Sequence, residues 1–377
     1  MTHYLDHAAT TALRPAALEV MVPLLAEGYG NPSGAHRMAR AANRVLDDAR
    51  DTLADALGAD AGQIVFTGGG TEADNLAVTG MVEAAGGVPV CSAVEHHAVL
   101  DPVLHHGGRT VPVTGDGLID LSALAEILED LGDRASVVSV MLANNETGMI
   151  QPLAEVVRMV RDLTPNALVH TDAVQALCWL DVADLAAEAD LISVSAHKFG
   201  GPKGVGALVV RDRARPAPLF RGGGQERGRR GGTHNVAGIA AMARAAADTV
   251  AERLTAVPRV AALRDRLADG LLAAVDGAVE TGRRNGKTAN ICHLCFDGIE
   301  SEALLFLLEK DDIMASAASS CSSGAMEPSH VLAAMGVDRE LAFGSLRLSL
   351  GYGSTDGDVD AVLASVPPAV ARLRERG

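Results

Sequence analysis

The sequence predicts an α/β protein built on a mostly parallel sheet, and three observations carry that expectation. From about residue 60 to 210, short β-rich apolar runs alternate with helical patterns. The strand runs are continuously apolar rather than alternating, as strands covered on both faces must be. The composition suits a large core of small side chains. Of 377 residues, 48% are hydrophobic but only 3% aromatic, so Ala, Val and Leu must fill the interior.

Taken in chain order, residues 64–66, 88–90, 137–142, 168–169 and 191–194 read as buried strands. Residues 72–85, 121–131 and 153–163 lie between them and carry apolar side chains at helical spacing. A long Ala-rich helical pattern over about 237–272 follows, and then a C-terminal part with strand signals at 290–296 and 345–350. That part is expected to form a smaller α+β domain joined by the extreme N-terminus. The division is a large domain over 14–255 and a small one over 1–13 and 256–377, although no Pro/Gly-rich hinge marks the boundary.

Composition also removes whole classes of function. With 32 basic and 48 acidic side chains the formal charge is −16, which opposes non-specific binding to nucleic acid or an anionic membrane. No apolar run approaches a membrane span. The N-terminus MTHYLDHAATT lacks the basic and apolar regions of a signal peptide. Five scattered cysteines, an odd number, suit a reducing compartment better than a disulfide scaffold. A soluble cytoplasmic protein is therefore expected. Only four of the basic residues are lysines (Lys198, Lys203, Lys287 and Lys310), so each invites a chemical question.

Three clusters carry that chemistry. Gly68-Gly69-Gly70-Thr71-Glu72-Ala73-Asp74 follows a strand and opens a helix, with Thr71 and Asp74 spaced as a capping box. Such a turn can cradle a phosphate on backbone N–H groups, or it can be an ordinary strand-to-helix turn. It is neither a Walker loop nor a G-x-G-x-x-G fingerprint, which disfavours NTP and dinucleotide chemistry. Asp172, in His170-Thr171-Asp172-Ala173-Val174-Gln175, sits at a strand's carboxyl end, where open α/β sheets bind ligands. A helix N-cap is the plainer alternative for it. Lys198 ends an apolar strand between Ser195-Ala196-His197 and Phe199-Gly200-Gly201. A strand-end lysine in low dielectric becomes a usable amine nucleophile or base; the alternative is a lysine snorkelling to solvent. Phosphate turn, strand-end Asp and strand-end Lys, in that order, are the parts a pyridoxal-phosphate (PLP) site needs.

With those residues in place the chain resembles the cysteine desulfurases of the class V aminotransferase group, fold type I PLP enzymes. The motifs span nearly its whole length: Tyr4-Leu5-Asp6-His7-Ala8-Ala9-Thr10-Thr11, Gly30-Asn31-Pro32-Ser33, Glu95-His96-His97-Ala98, Asn144-Asn145-Glu146-Thr147-Gly148, Ser195-Ala196-His197-Lys198, Gly222-Gly223-Gly224-Gln225-Glu226-Arg227 and Cys321-Ser322-Ser323-Gly324. The resemblance implies a large domain with a mostly parallel seven-stranded sheet and a small domain carrying a catalytic-cysteine loop at about 315–325. It implies that Lys198 holds PLP as a Schiff base, that Asp172 pairs with the pyridinium nitrogen, and that Gln175 bonds the ring oxygen. His96 would stack on the ring, while Gly70, Thr71, Ser195 and His197 would bind the phosphate. Thr233 would reach across from a second subunit of a homodimer. Asn145 and Arg347 would hold the carboxylate of the substrate, L-cysteine; a bidentate arginine fork suits that task.

Cys321 would accept the sulfur as a persulfide, giving L-alanine and passing the sulfur to an acceptor protein for iron–sulfur clusters, thiolated tRNA or another product. Its surroundings, residues 315–325, contain no side chain larger than cysteine, so little apolar burial offsets the entropy of ordering and a mobile loop is expected. Rival readings are a selenocysteine lyase or cystine-type lyase on the same scaffold, an aminotransferase, and a non-catalytic scaffold. The chain departs from the family pattern at Ala318, Ser320 and Gly231. Cys292-His293-Leu294-Cys295 looks like a C-x-x-C site, but on a strand positions three apart face opposite ways, so packing is expected and no metal site is assigned. Cys91 and Cys178 are read as structural.

Overall fold

The structure is a computed structural model and describes residues 2–317 and 328–375. Twelve strands are present among them: β1 (His3–Tyr4), β2 (Ile64–Thr67), β3 (Val88–Ser92), β4 (Arg109–Val111), β5 (Ala135–Ser139), β6 (Leu168–Asp172), β7 (Leu191–Ser195), β8 (Gly206–Val210), β9 (Ala278–Glu280), β10 (Ile291–Phe296), β11 (Ile313–Met314) and β12 (Ser345–Ser349). Seven form one sheet in the order β2-β8-β7-β6-β5-β3-β4. Strand β8 runs antiparallel to both neighbours, and the remaining pairs are parallel. The carboxyl ends of β2, β3, β5, β6 and β7 consequently open on one edge.

Every residue of β2, β6, β7 and β8 is buried, which is why their sequences read as unbroken apolar runs. Helices α1 (Pro15–Ala26), α2 (Arg37–Leu57), α3 (Gly70–Ala85), α4 (His97–His105), α5 (Leu121–Leu131), α6 (Leu153–Leu163), α7 (Val182–Leu185) and α8 (Val236–Ala274) cover the sheet or extend from it. The predicted bounds of α5 and α6 coincide with the observed ones.

Two sheet strands carry little sequence signal. β4 has two exposed residues out of three. β8 opens on Gly206, where an added Cβ would lie 2.6 Å from the Val194 carbonyl oxygen and 2.9 Å from Gly69 Cα. Glycine there lets the Gly68–Gly70 turn lie directly on the sheet, so a poor strand former marks a close backbone approach.

Beyond the large sheet, β12-β10-β9 form an antiparallel sheet and β1 pairs in parallel with β11. One core runs from Ile64 and Val169 through Ile239 and Leu267 on α8 to Cys292 and Leu346. Helix α8 is 39 residues long and continues past residue 255 with Pro258 inside it. No helix among the described residues is long and apolar enough to cross a membrane.

Candidate active site

A cavity of about 310 Å³ opens at the carboxyl edge of the sheet. Side chains that lie far apart in sequence meet there because the strands that carry them are neighbours. Lys198 follows β7 on a single tight turn, Ala196–Lys198. Its Nζ donates to the Ala8 carbonyl at 2.6 Å and the Ala9 carbonyl at 3.0 Å. Asp172 ends β6 and is 5% exposed. Burial raises its carboxyl to about 6, opposed by the Val174 N–H donating at 2.8 Å and by the Lys198 charge. Asp172 therefore fastens a turn and faces the cavity; no helix starts there, so it is not a helix N-cap. Gln175 lines the same wall, its Nε2 donating to the Ala8 carbonyl at 2.6 Å.

His96 lies beyond β3 and caps α4, its Nδ1 accepting the Ala98 N–H at 3.0 Å. That acceptor role puts the ring proton on Nε2. Burial, then the Lys198 charge, lowers its pKa to about 4, so the ring is neutral near pH 7. Gly70, Thr71, Ser195 and His197 form the opposite end of the cavity. His197 is likewise lowered to about 4, by burial and then by Lys198 and Lys203. The N-cap of α3 is Gly69, with no capping side chain, so the first N–H groups of the helix are open to an anion. A Cβ on Gly70 would meet Val174 Cγ2 at 2.8 Å and Ser195 Cβ at 3.3 Å, which leaves room there for backbone only.

Arg347, from β12, is 4% exposed. Its Nη2 donates to Asp6 Oδ1 at 2.8 Å and its Nη1 to the Asn145 carbonyl at 3.0 Å, while Nε has no hydrogen-bond partner. The ion pair with Asp6 is therefore largely buried. Asn145 also lines the cavity.

The capping box expected at Thr71 and Asp74 is not formed. The helix starts at Gly70, which makes Thr71 its second residue and turns Asp74 inward, where it is 1% exposed. Asp74 Oδ1 lies 3.6 Å from His170 Nε2 and has no hydrogen-bond partner. Burial, then Asp172, pushes its carboxyl well up. The turn is fastened instead by Glu72, which accepts the Gly68 N–H at 2.6 Å and pairs with Arg230 at 2.8 Å.

Further sequence readings concern Thr233, Cys321, Lys287 and the Cys292–Cys295 pair. Thr233 is exposed and does not line the cavity of its own chain. Cys321, with Ala318 and Ser320, lies outside the described residues. Lys287, one of the four lysines, is buried; its Nζ pairs with Glu280 at 3.0 Å because β9 brings that carboxylate alongside. Cys292 belongs to the main core and Cys295 to a separate cluster with Val331 and Leu332, so the two thiols face opposite sides of β10. The contributions of Ala8 and Ala9 were hidden from sequence reasoning because they are made by backbone carbonyls. Asp74 could have been found from its place one helical turn beyond the glycine triplet.

The fold is that of the class V aminotransferases, and the aminotransferase class-V family model matches residues 3–362, so the chain belongs to that family. Within it, the chain is 44% identical to an IscS-like cysteine desulfurase of Mycobacterium tuberculosis, covering 98% of this chain and 97% of the relative. It is 43% identical to a cysteine desulfurase of Cereibacter sphaeroides, covering 98% and 96%. A solved NifS-like protein superposes with a TM-score of 0.90 at 36% identity, covering 99% of this chain and all of that one.

Proposed function

We propose that this chain is a PLP-dependent cysteine desulfurase that converts L-cysteine to L-alanine and stores the sulfur as a persulfide on Cys321. The observation that carries the reading is the convergence of Lys198, Asp172, His96 and Arg347, from four separate segments, on one cavity. Full-length similarity to proteins named cysteine desulfurase supports it.

The residues fit the cofactor. Asp172 is a buried carboxylate whose raised pKa shows a shortage of positive charge, which a pyridinium N–H would relieve. The uncapped start of α3 with the Gly70 cradle, Ser195 and His197 suits a phosphate. Lys198 would hold the cofactor covalently, Gln175 would bond the ring oxygen, and the neutral His96 ring would stack on it. Bound there, PLP supplies an electron sink that makes the Cα–H and Cβ–S bonds of an amino acid breakable.

Arg347 and Asn145 hold the substrate carboxylate, and Lys198 Nζ takes the proton from the substrate Cα. The Cys321 thiolate attacks the substrate sulfur. An S–S bond forms as the Cβ–S bond breaks, the electron pair left on Cβ takes a proton, and Lys198 returns a proton to Cα, so L-alanine leaves and a persulfide remains. The sulfur then passes to an acceptor protein. In the same reading the chain is a cytoplasmic homodimer in which the exposed Thr233 reaches the partner's phosphate site. The buried free thiols Cys91, Cys178, Cys292 and Cys295 support a reducing setting. The small unit over 1–13 and 256–377 carries the Cys321 loop.

The test measures L-alanine and sulfide from L-cysteine with a reductant present, comparing the wild type with Cys321→Ala. Loss of both products is expected. Undiminished desulfuration would sink the persulfide step and favour a lyase.

A further inference from the structure

The N-terminal segment 6–11 touches four of the residues assigned above, although the reaction as written gives it no task. The Ala8 and Ala9 carbonyls hold Lys198, and Ala8 also holds Gln175. Thr11 Oγ1 donates to the His197 carbonyl at 2.8 Å, and Thr10 Oγ1 lies 3.2 Å from His197 Nδ1. Asp6 completes the set through its ion pair with Arg347.

Asp6 is fixed in that place by backbone. The Ser349 N–H donates to the Leu5 carbonyl at 2.7 Å, and the His7 N–H donates to the Ser349 carbonyl at 3.2 Å. The segment that follows β1 therefore lies alongside the end of β12, two residues from Arg347, and Tyr4 Oη also donates to the Asp6 carbonyl at 3.1 Å.

From this arrangement we infer that Asp6 is a specificity-determining residue: its carboxylate fixes the Arg347 fork and restricts the cavity to amino acids bearing one carboxylate. The inference rests on the proposed role of Arg347 as the carboxylate binder. A buried guanidinium without a counter-ion would attract every anion that entered. With Asp6 at 2.8 Å the pair is close to neutral overall, yet the two Nη groups still carry N–H donors. One α-carboxylate can use those donors. Asp6 does not itself line the cavity, but a second carboxylate drawn to the fork would approach its charge in a partly desolvated space, where repulsion is strong.

The experiment uses the holoenzyme and reads ligand affinity from the change in cofactor absorption. L-Alanine and L-aspartate are titrated into the wild type and into Asp6→Asn, which keeps a hydrogen-bond acceptor but loses the charge. The expected result is a rise of at least about tenfold in the preference for aspartate over alanine. Asp6→Ala, which also frees the fork, is expected to raise KM for L-cysteine more than it lowers kcat. An unchanged aspartate-to-alanine ratio in a folded, cofactor-loaded Asp6→Asn would overturn the inference. Should that variant not load, Asp6→Ser gives the same comparison, and failure of both to fold would make Asp6 a structural ion pair only. A wild type that bound neither amino acid would count against the functional reading itself.

Discussion

Asp172 and His96 owe their protonation states to burial, whereas Lys198 owes its place to the tight turn after β7, and each has a separate test. In the proposed mechanism Lys198 moves the Cα proton, so replacing it with Ala should lower kcat for alanine formation by roughly 10²–10⁴-fold, as steady-state assays would show. Asp172 has a folded-state pKa above its unfolded value, so the cofactor-free native protein binds more protons than the unfolded chain between about pH 4 and 6, and stability falls as pH rises through that window. Asp172→Asn removes this cost. Cofactor-free Asp172→Asn should therefore melt higher than wild type above pH 6, by up to about 3 kcal/mol, with the gap closing towards pH 4. Its holoenzyme should nevertheless be less active. A melting series in which the gap did not depend on pH would refute the burial argument. His96 is already neutral above about pH 5, so the alkaline limb of the rate profile belongs to another group.

Among the elements, the start of α3 lines the cavity, and the arm between β8 and α8, residues 211–235, is anchored to α2 and β2. Gly70→Ala inserts a Cβ against Val174 and Ser195, so cofactor affinity should drop about tenfold or more in equilibrium titration, since overpacking a close-packed site costs about 1–3 kcal/mol. The arm is held by Glu226, which accepts from Arg50 at 2.7 and 3.0 Å, from the Phe66 N–H at 2.9 Å, and meets His234 Nε2 at 2.7 Å. Burial alone would raise this carboxyl; the hydrogen bonds of His234 and Arg50 hold it down to about 2. Glu226 and Arg227 also sit at φ 48° and 58°, strained backbone that those bonds must offset. Glu226→Ala should cost about 3–5 kcal/mol in denaturant unfolding, because Arg50 is left without its partner.

How much of this could be read beforehand differs from residue to residue. Buried parallel strands announce themselves by unbroken apolar runs, and α5 and α6 by their helical spacing. The antiparallel direction of β8 is a tertiary outcome that no local pattern encodes. Lys198 and Asp172 were legible from strand-end position, whereas the grip of Ala8, Ala9 and Asp6 was not, because it depends on the segment after β1 folding back beside the last strand.

At the scale of the whole molecule, that return is what closes the site, since residues 6–9 and Arg347 meet across more than three hundred residues of chain. Sheet edge and C-terminal strands thus contribute opposite walls of one cavity. The proposed homodimer extends the idea to a second chain. Sedimentation should give a dimer, and Thr233→Ala should weaken cofactor binding about tenfold, the worth of one hydrogen bond to a charged group, without dissociating it. The most direct test of the central claim is mass spectrometry of the peptide bearing Cys321 after the holoenzyme has met L-cysteine without reductant, alongside L-alanine quantification. The account predicts a peptide heavier by one sulfur atom and matching alanine in the first turnover, both lost in Lys198→Ala. Alanine formed while Cys321 stays unmodified would contradict it.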